Sequence, residues 1–330
     1  MAVPTPMTTR VLPYGEDTIV QAAALIAAGG IVAVPTETVY GLAADATQAL
    51  AVTAIYAAKG RPSFNPLIVH VLDLAAARAL AAFDDLSLGL AEAFWPGPLT
   101  LVLPLARGAA VASLVTAGLT TIAIRVPEHR AMRALLAATG KPLAAPSANA
   151  SGGISPTRAV HVVASLGGRI PLVIDDGATE AGLESTIVST DGGLKILRPG
   201  PITDEALQHF FPGAGRGPVT PSSATGPRPA QEKRLVTAPG QLESHYAPAK
   251  PLRLNATLAE DGEWLIGFGP IAGDETLSSA GDLTEAAARL FDLLHHADAN
   301  DRPRIAIAPV PHHGLGLAIN DRLRRAAHRD

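Results

Sequence analysis

The chain has 330 residues, a net charge of −4, no cysteine, and a hydrophobic share of 48% with only 4% aromatic residues. That length exceeds one ordinary domain, so two are expected, with cores filled by Ala, Val, Leu and Ile rather than rings. Disulfides, a thiol nucleophile and a cysteine zinc site are excluded.

No run of eighteen apolar residues suggests a membrane span, and no charged head with an apolar block marks a secretory signal. A cytoplasmic protein is expected. The charge is uneven. Residues 1–210 carry 13 basic and 16 acidic side chains, residues 211–250 carry 5 and 2, and residues 251–330 carry 8 and 12. A protein that grips nucleic acid as its main task shows a clear basic excess, and this one does not.

In chain order, Asp17 to Ala28 is expected as an amphipathic helix stopped by Gly29-Gly30. Ile31 to Val34 is short and β-branched enough for a buried strand, ended by Pro35, which cannot donate to a ladder. Thr36, Glu37, Thr38 and Tyr40 then fall within five positions, at the strand edge where open α/β sheets seat ligands. A hydroxyl-rich turn without a ligand is the plainer reading. Gly41 is expected to relax the backbone before the alanine-rich segment that follows.

Ala46 to Ala58 is expected as a helix running into Lys59-Gly60-Arg61-Pro62. Lysine supplies a point charge and arginine a planar fork, a pair suited to phosphate oxygens; a solvated loop would carry the same residues. Asn65 offers both donor and acceptor. His70 interrupts the strand Leu67–Val71, either as a ligand or as a satisfied core residue. Further strands are expected from Leu99 to Leu103 and from Thr120 to Pro127. Arg125 lies in the second, and since a buried arginine must find an anion, it is either an ion-pair partner or a carboxylate clamp.

Glu128 to Ala138 reads as a helix. Pro142 to Gly153 repeats the earlier pattern of an apolar run, a proline, then hydroxyl and amide groups with glycine. Ser155 and Pro156 read as the cap and first turn of a helix whose N-terminus would favour a phosphate. Strands are expected at Leu172–Ile174, Ser185–Ser189 and Leu194–Leu197, the last leading to Arg198 in a proline and glycine frame. From Phe211 to about Pro248 the chain is rich in Pro, Gly and Ser without period, which reads as a linker. It ends in a patch around His245 and Tyr246 suited to dock on another surface. Beyond it, strands are expected at Leu252–Leu254, Leu265–Phe268 and Ile305–Ala308, and helices at Thr284–His296 and Leu317–Ala327.

Eight segments in order, PTETVYGLAADA, KGRPSFNPLIVHV, WPGPLTLVL, TIAIRVP, PSANASGGISPT, STIVS, LRPGPI and SHYAP, resemble the threonylcarbamoyl-AMP synthases, the YrdC-like family in its long two-domain form. The likeness extends to GLGLAINDRLRRAA at Gly314–Ala327. It implies an α/β fold: an open twisted mixed sheet with flanking helices over residues 1–210, a linker over 211–250 acting as a lid, and a small Rossmann-like α/β domain over 251–330.

It also implies a nucleotidyltransferase that condenses L-threonine, bicarbonate and ATP into threonylcarbamoyl-AMP and releases pyrophosphate. A partner, a tRNA threonylcarbamoyl transferase, would pass the group to the adenosine beside the anticodon. By the resemblance, Thr38, His70, Arg125, Ala145 and Ser185 would hold the threonine. Lys59, Arg61, Asn65, Thr121, Ser147, Asn149, Ser155 and Arg198 would hold the nucleotide, with Tyr246 closing over it and Lys59 and Arg61 as the catalytic cations. Magnesium would arrive with the ATP, since no dedicated carboxylate cage is visible. An RNA-binding module and another carbamoyl-transferring enzyme of the same fold are the competing readings, the first weakened by the charge balance and the lack of aromatic platforms.

Overall fold

The computed structural model describes residues 8–211 and 245–328. The first unit runs β1 (Arg10–Pro13), α1 (Glu16–Ala27), β2 (Val32–Pro35), β3 (Tyr40–Asp45), α2 (Ala49–Lys59), β4 (Ile68–His70), α3 (Leu74–Arg78), α4 (Asp85–Phe94) and β5 (Leu99–Pro104). It continues through α5 (Ser113–Thr116), β6 (Thr121–Arg125), α6 (Arg130–Thr139), β7 (Leu143–Ala144), α7 (Ala159–Leu166), β8 (Leu172–Asp175), β9 (Thr186–Ser189), β10 (Lys195–Arg198) and α8 (Asp204–Phe210). These strands form one ten-stranded mixed sheet in the order β1-β8-β2-β3-β7-β4-β6-β5-β9-β10.

The stretch after Gly41 does not relax as expected; it is β3, paired antiparallel with β2 so that Val32 faces Ala43 and Pro35 faces Tyr40. Pro35 is therefore the last residue of its strand, and Thr36 to Val39 is the connection of a hairpin. Alanine and glycine carry little strand signal, yet β3 is buried on both faces. Small residues are required there: a Cβ on Gly41 would stand 3.3 Å from the Cβ of Ala145.

Parallel β4 and β6 set His70 opposite Arg125. Helices α1 and α6 cover one face of the sheet, burying Ile19, Ala22 and Ile26 together with Met132, Leu135 and Leu136. Ser155 does not cap the following helix. That helix begins at Ala159, and the His161 ring accepts from the backbone N–H of Thr157 at 3.3 Å. The Ser155 hydroxyl is instead taken by the carboxylate of Glu184.

The second unit runs β11 (Leu252–Arg253), β12 (Glu263–Gly267), β13 (Glu275–Thr276), α9 (Leu283–Ala299), β14 (Arg304–Ile307) and α10 (Leu315–Ala327). Its strands pair only in parallel, in the order β11-β14-β12-β13, as a small Rossmann-like unit does. Its core of Leu290, Phe291, Leu294, Ile305 and Ile307 is continuous with Val39, Ile154, Leu183 and Tyr246 of the rest of the chain. The units are pressed together tightly at Gly182 (φ +64°), where a Cβ would fall 2.5 Å from the carbonyl oxygen of Ala287 in α9. The expected lid over residues 211–250 lies mostly outside the described residues, which resume at His245.

Candidate active site

The β2–β3 connection folds on its own hydroxyls. Thr36 Oγ1 donates to the Val39 carbonyl at 2.7 Å and lies 2.8 Å from Thr38 Oγ1. Thr38 in turn accepts from Arg125 Nη1 at 2.9 Å. Arg125 also donates from Nε to the Gly97 carbonyl at 3.1 Å and pairs with Glu37 at 2.5 Å. The arginine is thus an ion-pair partner, and Glu37 is its anion. Burial alone would raise the Glu37 carboxyl, but Arg125 holds it below the ordinary carboxylate range. His70 lies beside them. Burial, helped by the Arg125 charge, lowers its pKa to about 3, and its Nδ1 has no hydrogen-bond partner.

Thr38, His70, Arg125, Ala145 and Ser185, the residues expected around threonine, all line one cleft. Ser185 is positioned by a 2.7 Å hydroxyl contact with Thr100. Of the residues expected around the nucleotide, Arg61, Ser147, Arg198 and Tyr246 line the same cleft. Lys59 and Asn149 stand directly behind Ser147, joined by Lys59 Nζ, which donates to the carbonyls of Ser147 at 2.6 Å and Asn149 at 2.5 Å. Ser155 stands behind Glu184, which reaches the cleft wall. Asn65 is fully buried with both side-chain polar atoms unpartnered, and Thr121 opens β6 opposite Pro104; the structure brings neither to the wall of the cleft.

The loop carrying Lys59 and Arg61 is not a solvated one, for the two side chains are 3% and 9% exposed. Arg61 donates to the carbonyls of Asn65 and Pro66 at 3.3 and 2.9 Å, and Arg198 to the carbonyl of Ser185 at 2.9 Å. None of the three cations forms an ion pair with a described residue. Burial and mutual repulsion lower their proton affinities. Lys59 is pushed well below its ordinary value by burial and then by Arg61, and Arg61 is lowered to about 10 by burial, with Arg198 adding to it. The arrangement holds positive charge out of water without a salt bridge, offset mainly by carbonyl dipoles, with the Ser185 hydroxyl and the nearby Glu184 charge acting on Arg198.

Tyr246 closes the cleft on its far side. It is 1% exposed, adopts the left-handed backbone region (φ +66°), and sets its ring 4.1 Å from that of His245, tilted by 58°. A cavity of about 50 Å³ remains inside.

The family model described as "Telomere recombination", covering the Sua5, YciO and YrdC proteins, matches residues 24–200. A second, described as "Threonylcarbamoyl-AMP synthase, C-terminal domain", matches residues 202–328. The threonylcarbamoyl-AMP synthase of Bacillus subtilis is 40% identical over 340 residues, spanning 97% of this chain and 95% of that protein. The chain belongs to the threonylcarbamoyl-AMP synthase family. The family's Pyrococcus abyssi member is 37% identical over 325 residues, spanning 93% of each chain. The crystal structure of P. abyssi Sua5 complexed with L-threonine superimposes with a TM-score of 0.82 at 34% identity, spanning 98% of each chain. The two-domain architecture of this family, a large mixed sheet with a small parallel sheet, is the one seen here.

The sequence reading names Glu37 without its partner and does not find Glu184. Glu37 was visible within the first polar cluster, and the need of Arg125 for an anion was the signal that could have joined them. Glu184 lies two residues before β9, next to Ser185, and nothing local distinguishes it from a surface acid.

Proposed function

We propose that the chain condenses L-threonine, bicarbonate and ATP into L-threonylcarbamoyl-AMP with release of pyrophosphate, as a nucleotidyltransferase of tRNA modification. The observation that carries this reading is the set of three buried cations, Lys59, Arg61 and Arg198, none in a salt bridge with a described residue. An unpaired buried charge costs several kcal/mol, and a polyphosphate would remove that cost.

On this reading Arg125 receives the threonine carboxylate in the place of, or beside, Glu37. Thr38 and Ser185 offer hydroxyls, and neutral His70 offers its unpartnered Nδ1. The threonine amine and bicarbonate give a carbamate and water. A carbamate oxygen then attacks the α-phosphorus, and the bond to the β-phosphate oxygen breaks as pyrophosphate leaves. No covalent intermediate on the chain is required. The residues supply position and charge neutralisation, with Lys59 and Arg61 as the proposed catalytic cations, the usual means for transfer at phosphorus.

Magnesium is proposed to enter with ATP and to neutralise its phosphate oxygens. Glu37 and Glu184 are each committed to an arginine, and no cluster of three or more potential ligand side chains occurs among the described residues. Tyr246 is proposed to close over the bound nucleotide. The product would pass to a tRNA threonylcarbamoyl transferase without stable nucleic-acid binding by this chain. No helix among the described residues is long and apolar enough to cross a membrane, in keeping with a proposed cytoplasmic setting. Incubation with carbon-labelled bicarbonate tests the reaction: label should appear in an AMP adduct only when ATP and L-threonine are both present. An unlabelled adduct would reject the carbamate route.

A further inference from the structure

The C-terminal unit contributes no side chain to the catalytic set described above, yet one of its residues touches two side chains that form the wall of the cleft. Arg322, on α10 and fully buried, donates from Nε to Glu184 at 2.8 Å and from Nη1 to Asp321 at 2.9 Å. Its guanidinium lies over the Tyr246 ring at 5.2 Å from the centroid. The other Glu184 oxygen accepts from the Ser155 hydroxyl. One cation therefore holds two parts of the cleft lining at once, the carboxylate of Glu184 and the ring of Tyr246. The adjoining backbone is tied in the same way, since the His245 N–H donates to the Arg325 carbonyl at 3.4 Å and the Ala247 N–H to the Gly152 carbonyl at 2.8 Å.

Resting on the synthase reading, we propose that Arg322 is a positioning residue through which the C-terminal unit sets the nucleotide side of the active site. Only arginine meets the demands of the place: a planar fork bridging two carboxylates edge-on while its face covers an aromatic ring. Lysine keeps the charge and loses the fork. Threonine is proposed to sit on Arg125, Thr38, His70 and Ser185; Arg322 touches none of them, and it nears that set only through Glu184, which precedes Ser185. The two substrates should therefore respond differently to its loss, which a purely structural residue would not cause.

The experiment uses the full chain with Arg322→Lys, Arg322→Met and the double variant Glu184→Gln/Arg322→Met. Each is read by melting temperature, by KM for ATP and for threonine separately, and by equilibrium binding of ATP alone. Arg322→Met should raise KM for ATP and weaken ATP binding by on the order of tenfold, the scale of one desolvated cation–π contact. KM for threonine should stay within about twofold of wild type. Arg322→Lys, which guards against a failure to fold, should show a smaller shift of the same kind. Adding Glu184→Gln should restore melting temperature by removing the orphaned carboxylate, without restoring ATP affinity. The proposal is overturned if folded variants keep wild-type ATP affinity, if both substrates shift equally, or if the double variant recovers ATP binding. Wild-type chain that binds ATP but shows no threonine-dependent turnover would reject the synthase reading, while the binding arm would still judge Arg322.

Discussion

Two sets of buried charge lie in this interior, and they are neutralised in opposite ways. Around Arg322, cations and acids are matched in charge: Glu184 and Asp321 accept from Nε and Nη1 of one guanidinium, leaving its Nη2 without a hydrogen-bond partner, and Asp321 also accepts from Arg325 at 3.1 Å. Burial opposes the Arg322 charge, but Tyr246 and these carboxylates raise its proton affinity above the ordinary value. Around Lys59, Arg61 and Arg198, no acid forms a salt bridge; the partners are mainly backbone carbonyls, with the Ser185 hydroxyl and the Asn149 side-chain oxygen, and Glu184 acts on Arg198 only from a distance. Both sets are equally dry. What separates them is compensation: a matched set is a joint that the protein completes by itself, and an unmatched set is a site completed by something that binds.

Substitution in the unmatched set gives the largest contrast. Arg61→Ala should lower kcat by about 10²–10³, the scale of one lost electrostatic contact to a developing charge, while melting temperature stays level or rises, because an uncompensated buried cation is removed. A melting temperature that falls in step with activity would place Arg61 among structural residues. The Arg125–Glu37 pair stands between the two sets, matched now but proposed to share its cation with substrate. Arg125→Met should destabilise by about 3–5 kcal/mol, since it strands the Glu37 carboxylate. Adding Glu37→Gln should return most of that stability in denaturant titration and none of the threonine-dependent activity.

The joint between units can be strained without touching any charge. Gly182→Ala sets a methyl against the α9 backbone at a left-handed position and should cost about 1–3 kcal/mol. Calorimetry should register this as earlier melting, with separation of the two units if the joint is the weak point. Wild-type melting would mean that α9 yields there.

The last effect appears only in acid. His70 and His161 are both lowered to about 3, each chiefly by burial, with Arg125 adding at His70 and the stacked His295 ring at His161. The unfolded chain takes these protons near pH 6.5. Their contribution is therefore complete above that pH and is lost as pH falls from about 6.5 toward 3, because the unfolded state then binds more protons. A plot of melting temperature against pH should be flatter over this window for His161→Gln than for wild type.

Much of this was legible in the sequence, for identifiable reasons. Periodicity located α1, α6, α9 and α10 to within a few residues, and β-branched runs located β2, β6, β8 and β9. Strand β3 was missed because Gly41, Ala43 and Ala44 are chosen for fit between two neighbours, a tertiary demand that local propensity does not carry. Ser155 was misread as a helix cap because a serine before a proline looks the same whether it faces a helix end or a carboxylate 29 residues away. The burial of Lys59 and Arg61 was not legible, since the surrounding loop has the composition of an exposed one. Arg322 meets Glu184 across 138 residues, and a pairing of that range leaves no local trace.

The most direct measurement is pyrophosphate release from ATP in the presence of bicarbonate, with and without L-threonine. Release that requires threonine, and fails when serine or alanine replaces it, is the predicted result: an unmatched cation set for the polyphosphate beside a separate amino-acid site. Release indifferent to the amino acid, or none from a chain that still binds ATP, would contradict it.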